Sequence, residues 1–188
     1  MTHVEPSATS IMLLQRPYDY FGVVTNLDDA AAASALARTS AYAEVDSLTV
    51  WSPWTSFAGA IQEAPRLPGV YLLREGSSVQ IRYVGMAGER AGGARPQGLH
   101  GPLSVYLSGK AAVSGFGEAA LDRALADPVW VEARLQHLAV SGPQRAKEWA
   151  RQAIARLAPE VRWAITHDRL EARELEGQIV ELLRPFGL

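Results

Sequence analysis

Leu67-Pro68-Gly69-Val70-Tyr71-Leu72-Leu73, then Glu75-Gly76-Ser77-Ser78, then Val79-Gln80-Ile81-Arg82-Tyr83-Val84-Gly85 is the stretch on which the fold turns. Leu67-Pro68-Gly69 reads as a turn, and Val70 to Leu73 is a short apolar run. Val79, Ile81 and Tyr83 alternate with Gln80 and Arg82, the period of a half-buried strand. Two such runs across a four-residue polar loop predict an antiparallel hairpin. A glycine-rich loop, Gly88 to Gly98, and a short helix, Leu103 to Leu107, come next.

Downstream, Asp127-Pro128 is an N-cap followed by proline at the first helical position, and that helix ends at Ser141-Gly142-Pro143. A second helix is expected from about Gln144 to Leu157, stopping before Pro159. Val161 to Thr166 reads as a strand, and Asp168 with Glu171 three residues on opens a last helix that ends at Arg184-Pro185. Upstream, Tyr18 to Val24 reads as an irregular or strand-like start. An alanine-rich helix with Asp28 and Asp29 at its N-terminus follows, and then an aromatic cluster, Trp51, Trp54 and Phe57, expected to form a satellite core. The order predicts an α+β fold with a small, mostly antiparallel three-stranded sheet flanked by helices. Residues 1–65 are expected as an N-terminal extension or small subdomain, and residues 66–188 as the main domain with a helical insertion at about 111–158.

Composition narrows the class. The chain has 188 residues, 48% of them hydrophobic and 20% charged, enough for one packed domain. With no cysteine, disulfides, thiolate zinc sites and cysteine nucleophiles are excluded. Ile11 to Leu14 is too short to span a bilayer, and His3 and Glu5 stand where a signal peptide would be basic. The expected address is therefore cytoplasmic, with no membrane partner. Charge is uneven: residues 1–65 hold 2 basic and 7 acidic side chains, residues 66–110 hold 6 and 2, and residues 111–188 hold 10 and 11. A positive block inside an acidic chain fits a polyanion met at that block, with Arg82, Arg90, Arg95 and Lys110 as candidate backbone contacts. The net −5 of residues 1–65 argues against their gripping DNA; they are expected to pack on the main domain's sheet or to contact a protein partner.

Gly69-Val70-Tyr71 and Tyr83-Val84-Gly85, with eleven residues between the tyrosines, resemble the paired motifs of the GIY-YIG nuclease superfamily. The later order of short helix, third strand and glutamate-bearing helix is similar too, and the resemblance covers about Leu67 to Leu188. It implies a DNA endonuclease that hydrolyses phosphodiester bonds with a single Mg²⁺ or Mn²⁺ held mainly by one carboxylate, a tyrosine serving as base or as orienter of the water. Tyr71 and Tyr83 take the motif positions, and Tyr106 stands where many members place tyrosine or histidine.

The metal-binding carboxylate is expected at Glu176. At about 100° per residue the last helix places Ala172, Leu175, Ile179, Leu182 and Leu183 on one stripe, with Glu176 at its border and Glu174 and Glu181 opposite. Glu171 is accounted for as the cap. The run Leu175-Glu176-Gly177-Gln178-Ile179-Val180 is similar to the family's helix and points to the same residue.

Two cationic positions depart from the family pattern. The slot of the phosphate-clamping arginine falls at Pro102 or within one turn of it, and Met86 follows the second motif where repair-type members often have lysine. Either His100, Arg90 or Arg95 supplies the missing charge, or the domain is a degenerate one that binds nucleic acid or a protein partner without cutting. A regulatory domain that does not meet nucleic acid is the third class.

Overall fold

The computed structural model describes residues 21–78, 80–88, 97–113 and 115–188, with side chains from residue 29 onward. It divides into two units, Met1–Ala37 and Arg38–Leu188. Helix α1, Phe21–Ser47, contributes to both. Residues 29–37, in the first unit, are helical and exposed. The strand-like start expected over Tyr18 to Val24 is corrected: Phe21 to Val24 are helical, and Tyr18 to Tyr20 lie outside the described residues. Asp28 and Asp29 stand two turns inside α1 rather than at its start.

The second unit begins well before residue 66, so residues 38–65 are part of the main domain and not an extension. Val45, Phe57 and Ala60 lie in its core. After α1 come β1 (Thr55–Ser56), α2 (Phe57–Glu63), β2 (Gly69–Arg74), β3 (Ile81–Ala87), α3 (His100–Leu107), α4 (Gly115–Leu125), α5 (Pro128–Ser141), α6 (Ala146–Arg156), β4 (Glu160–Ile165) and α7 (Arg169–Leu183). A final 3₁₀ turn spans Arg184–Phe186. The fold is α+β, and the sheet has four antiparallel strands in the order β1-β4-β2-β3 rather than three. The extra strand is two residues long, too short for any periodicity to announce it.

Local chemistry explains most of the boundaries. Asp127 accepts from the backbone N–H groups of Val129 and Trp130, and Pro128 begins α5. Asp168 accepts from Glu171 N–H at 2.9 Å while the Glu171 carboxylate accepts from His167 N–H at 2.7 Å, so Glu171 is consumed by the cap. Gly142, at φ 75°, closes α5 in a conformation that glycine adopts without strain.

β2 is the central strand, paired with β4 on one side and β3 on the other, and all but its last residue are buried. Its alternation serves two cores. Val70 and Leu72 pack with Val45, Ile179 and Leu183 under α7. Tyr71 and Leu73 face Leu103, Tyr106, Phe116 and Ile154 under α3, α4 and α6. On β3 the simple alternation fails, because Ile81 lies in the first core and Tyr83 packs on the second. The register explains this: Leu73 pairs with Tyr83 and Arg74 with Ile81, leaving Arg82 as the extra residue of a β-bulge that resets the phase.

The aromatic cluster is divided as well. Phe57 joins the α3/α4 core, while Trp51 and Trp54 pack at the α7 side. There the Arg162 guanidinium lies 4.7 Å from the Trp51 ring centroid and 4.6 Å from that of Trp54, with Asp46 as its ion partner. Among the described residues no helix is long and apolar enough to cross a membrane.

Candidate functional site at the edge strand

Tyr71 on β2 pairs directly with Gly85 on β3, and Leu73 pairs with Tyr83, so the two motif tyrosines are diagonal neighbours. Their ring centroids are 6.2 Å apart. Gly85 is what allows it: a Cβ there would land on the Tyr71 hydroxyl and come within 2.9 Å of Tyr83 Cε1. The glycine that closes the second motif thus makes room for the tyrosine that closes the first.

Tyr106 on α3 completes a cluster, 6.4 Å from the Tyr71 ring and 6.2 Å from the Tyr83 ring. The Tyr106 hydroxyl donates to that of Tyr83 at 3.4 Å and lies 3.1 Å from that of Tyr71. A phenol has one proton to give, so with Tyr106 donating to Tyr83, Tyr71 donates to Tyr106. Tyr71 (2% exposed) and Tyr106 (7%) are interior, whereas Tyr83 is half-buried. Of the three, Tyr83 is therefore the ring that a ligand can touch.

Two residues missed in the sequence hold this cluster. Phe116 on α4 packs 5.8 Å from both the Tyr83 and Tyr106 rings. Gly115, at φ 56°, starts α4 directly over the hydroxyls, and a Cβ there would approach Tyr106 Oη to 2.6 Å and Tyr83 Oη to 3.0 Å. The positive φ and the close approach both require glycine. The run Gly115-Phe116-Gly117 carried a signal in its paired glycines, and Phe116, Ala120 and Ala124 recur at the four-residue spacing of a helix whose apolar side chains are mostly small.

Glu176, half-buried on α7, lies near enough to Tyr71 and Tyr83 for its charge to push both phenols up. Burial is the larger cause for each: the Tyr71 phenol stands well above its ordinary value, and Tyr83 is raised as well. Neither phenol ionises near neutral pH, so in the ligand-free protein they donate hydrogen bonds and are not bases. Desolvation also raises the Glu176 carboxyl, opposed by the Met86 backbone N–H and by the Arg173 guanidinium.

The chain matches no protein-family model, no curated protein and no solved structure.

The other expected site residues are dispersed or already engaged. Arg82 gives Nε at 3.1 Å and Nη2 at 2.8 Å to Glu75 Oε2, and this guanidinium holds the Glu75 carboxyl below the usual carboxylate range. The His100 ring bonds to Ser104 Oγ at 3.1 Å through Nδ1, about 120° around α3 from Tyr106. Lys110 is exposed beyond α3. Arg90 and Arg95 lie outside the described residues. Helix α3, His100–Leu107, carries no lysine or arginine.

Among the described residues no three His, Cys, Asp or Glu side chains gather as a metal cluster. One half-buried carboxylate short of solvation is a donor set that suits a hard divalent ion which keeps most of its water.

Proposed function

We propose that the chain is a divalent-metal-dependent endonuclease of the GIY-YIG type that hydrolyses phosphodiester bonds in DNA. The supporting observation is the cluster of Tyr71, Tyr83 and Tyr106 at the motif strands, with the Glu176 charge acting on both motif phenols from α7. Glu176 would hold Mg²⁺ or Mn²⁺, which when bound neutralises phosphate charge and acidifies water. Tyr83, the least buried of the three rings, donates its O–H to a substrate or water oxygen. Tyr71 and Tyr106 position that proton through their relayed hydrogen bonds and do not themselves meet the substrate.

Supercoiled plasmid incubated with the chain and Mg²⁺ tests this reading. Nicking is expected, falling by about 10²-fold or more in Glu176→Gln and Tyr83→Phe, the scale of losing one preorganised group at the transition state. Cleavage that both variants leave untouched refutes the assignment.

A second reading, a degenerate domain that binds without cutting, is favoured by one observation. Pro102 stands in the first turn of a helix α3 that has no guanidinium to offer a phosphate. An inactive wild-type chain in which Pro102→Arg creates cleavage would establish it.

A further inference from the structure

Gly88 directly follows β3, and Arg169 is the first residue of α7. A Cβ built on Gly88 would fall 2.6 Å from Arg169 Cγ and 2.8 Å from Cδ, so the arginine stem lies flat across the glycine backbone. This seats Arg169 at the end of the edge strand that carries Tyr83. At about 100° per residue, Arg169, Arg173 and Glu176 share a stripe of α7 about 60° wide. Both arginines are exposed, and among the described residues neither is within salt-bridge distance of a carboxylate, although the Arg173 charge acts on Glu176 one turn away. Arg82, by contrast, is bound to Glu75, and Arg74 to Glu160.

We propose that Arg169 and Arg173 form the phosphate-binding edge of the Glu176 site, taking the backbone phosphates of a nucleic acid. The identity of the ligand rests on the nuclease reading. The planar fork of a guanidinium matches the oxygens of a phosphate, and its charge persists at every relevant pH. The two arginines thereby supply, from the glutamate's own helix, the cationic groups that Pro102 and Met86 do not. Gly88 contributes by admitting the Arg169 stem where any side chain would displace it.

The test separates binding from cutting. Anisotropy of a fluorescein-labelled DNA duplex is followed against salt with EDTA present, and plasmid cleavage is assayed separately with Mg²⁺. Arg169→Gln with Arg173→Gln is expected to weaken duplex binding roughly ten-fold or more near 0.1 M salt, and to make the log–log salt slope shallower by about 1 to 2. Arg169→Lys with Arg173→Lys should recover the slope but not the full rate of cleavage. If wild type cuts plasmid and the glutamine pair binds with unchanged affinity and slope, this inference is overturned and the nuclease reading stands. If wild type never cuts but its binding depends on both arginines, the nuclease reading fails and the phosphate edge stands. A wild-type chain that does not bind the duplex even in low salt overturns the phosphate edge. Since both side chains are exposed, melting temperatures close to wild type are expected, and they show that a binding loss is local.

Discussion

The Tyr71 and Tyr106 hydroxyls lie 3.1 Å apart, although 35 positions separate the two residues in the chain. One comes from the central strand and the other from a short helix, and both rings are buried. A buried hydroxyl without a partner is costly, so each secures the other, and Tyr106 in turn donates to the half-buried Tyr83.

The order of donors gives an asymmetry in stability. Tyr106→Phe leaves the Tyr71 hydroxyl buried with no acceptor and is expected to cost about 1–3 kcal/mol, whereas Tyr71→Phe removes a donor and costs about 1 kcal/mol or less. Urea unfolding of the two variants measures this. A larger loss in Tyr71→Phe would reverse the direction of the relay.

Gly85→Ala forces a methyl group onto the Tyr71 ring, which is packed on every side. A loss of roughly 1–3 kcal/mol is expected, as for other overpacked cores, and the site should lose its alignment as well. Alanine accepted at position 85 with full stability and an unchanged near-UV circular dichroism spectrum would show that the ring has room to move.

Glu176→Gln should raise the melting temperature at neutral pH while removing metal-dependent activity. The sign follows from the raised carboxyl. The folded state holds its proton to a higher pH than the unfolded state does, so stability falls as pH rises from the unfolded value through the folded one. At neutral pH the desolvated charge is a cost that glutamine removes. The same shift moves the acid limb of any cleavage profile above the range of an ordinary carboxylate. Mg²⁺ should stabilise the wild type and leave the glutamine variant unchanged. A variant less stable than wild type at pH 7 would show that the carboxylate is well solvated.

The chain has 6 tyrosines, and the two motif rings are raised above the ordinary phenol value by burial and by the Glu176 charge. Absorbance titration at alkaline pH should therefore leave at least two phenols un-ionised until the chain unfolds. Ionisation of all the tyrosines as one ordinary group, with the fold intact, would contradict the packed cluster. Any fall in cleavage at moderately alkaline pH would need a source other than these two rings.

Much of the order of elements was legible in linear sequence because it is written in short-range chemistry. The Asp127-Pro128 and Asp168/Glu171 caps located α5 and α7, and the residues around Tyr71 and Tyr83 located the hairpin, since a cap or a turn acts over three or four neighbouring residues. The period along α7 likewise put Glu176 at the edge of its apolar stripe, and Ala172, Ile179 and Leu183 are indeed buried. Tertiary structure decided the rest. The bulge at Arg82 turns Ile81 and Tyr83 to opposite cores, a choice that depends on the register of a partner strand. Which tyrosine reaches solvent depends on Gly115 and Phe116, more than thirty residues beyond Tyr83. That Arg169 rests on Gly88 follows from how α7 crosses the sheet, and no spacing in a single chain encodes such a contact. Local hydrogen bonds and periodicity act between near neighbours; exposure, charge pairing and the meeting of distant side chains arise only when packed layers close over one another.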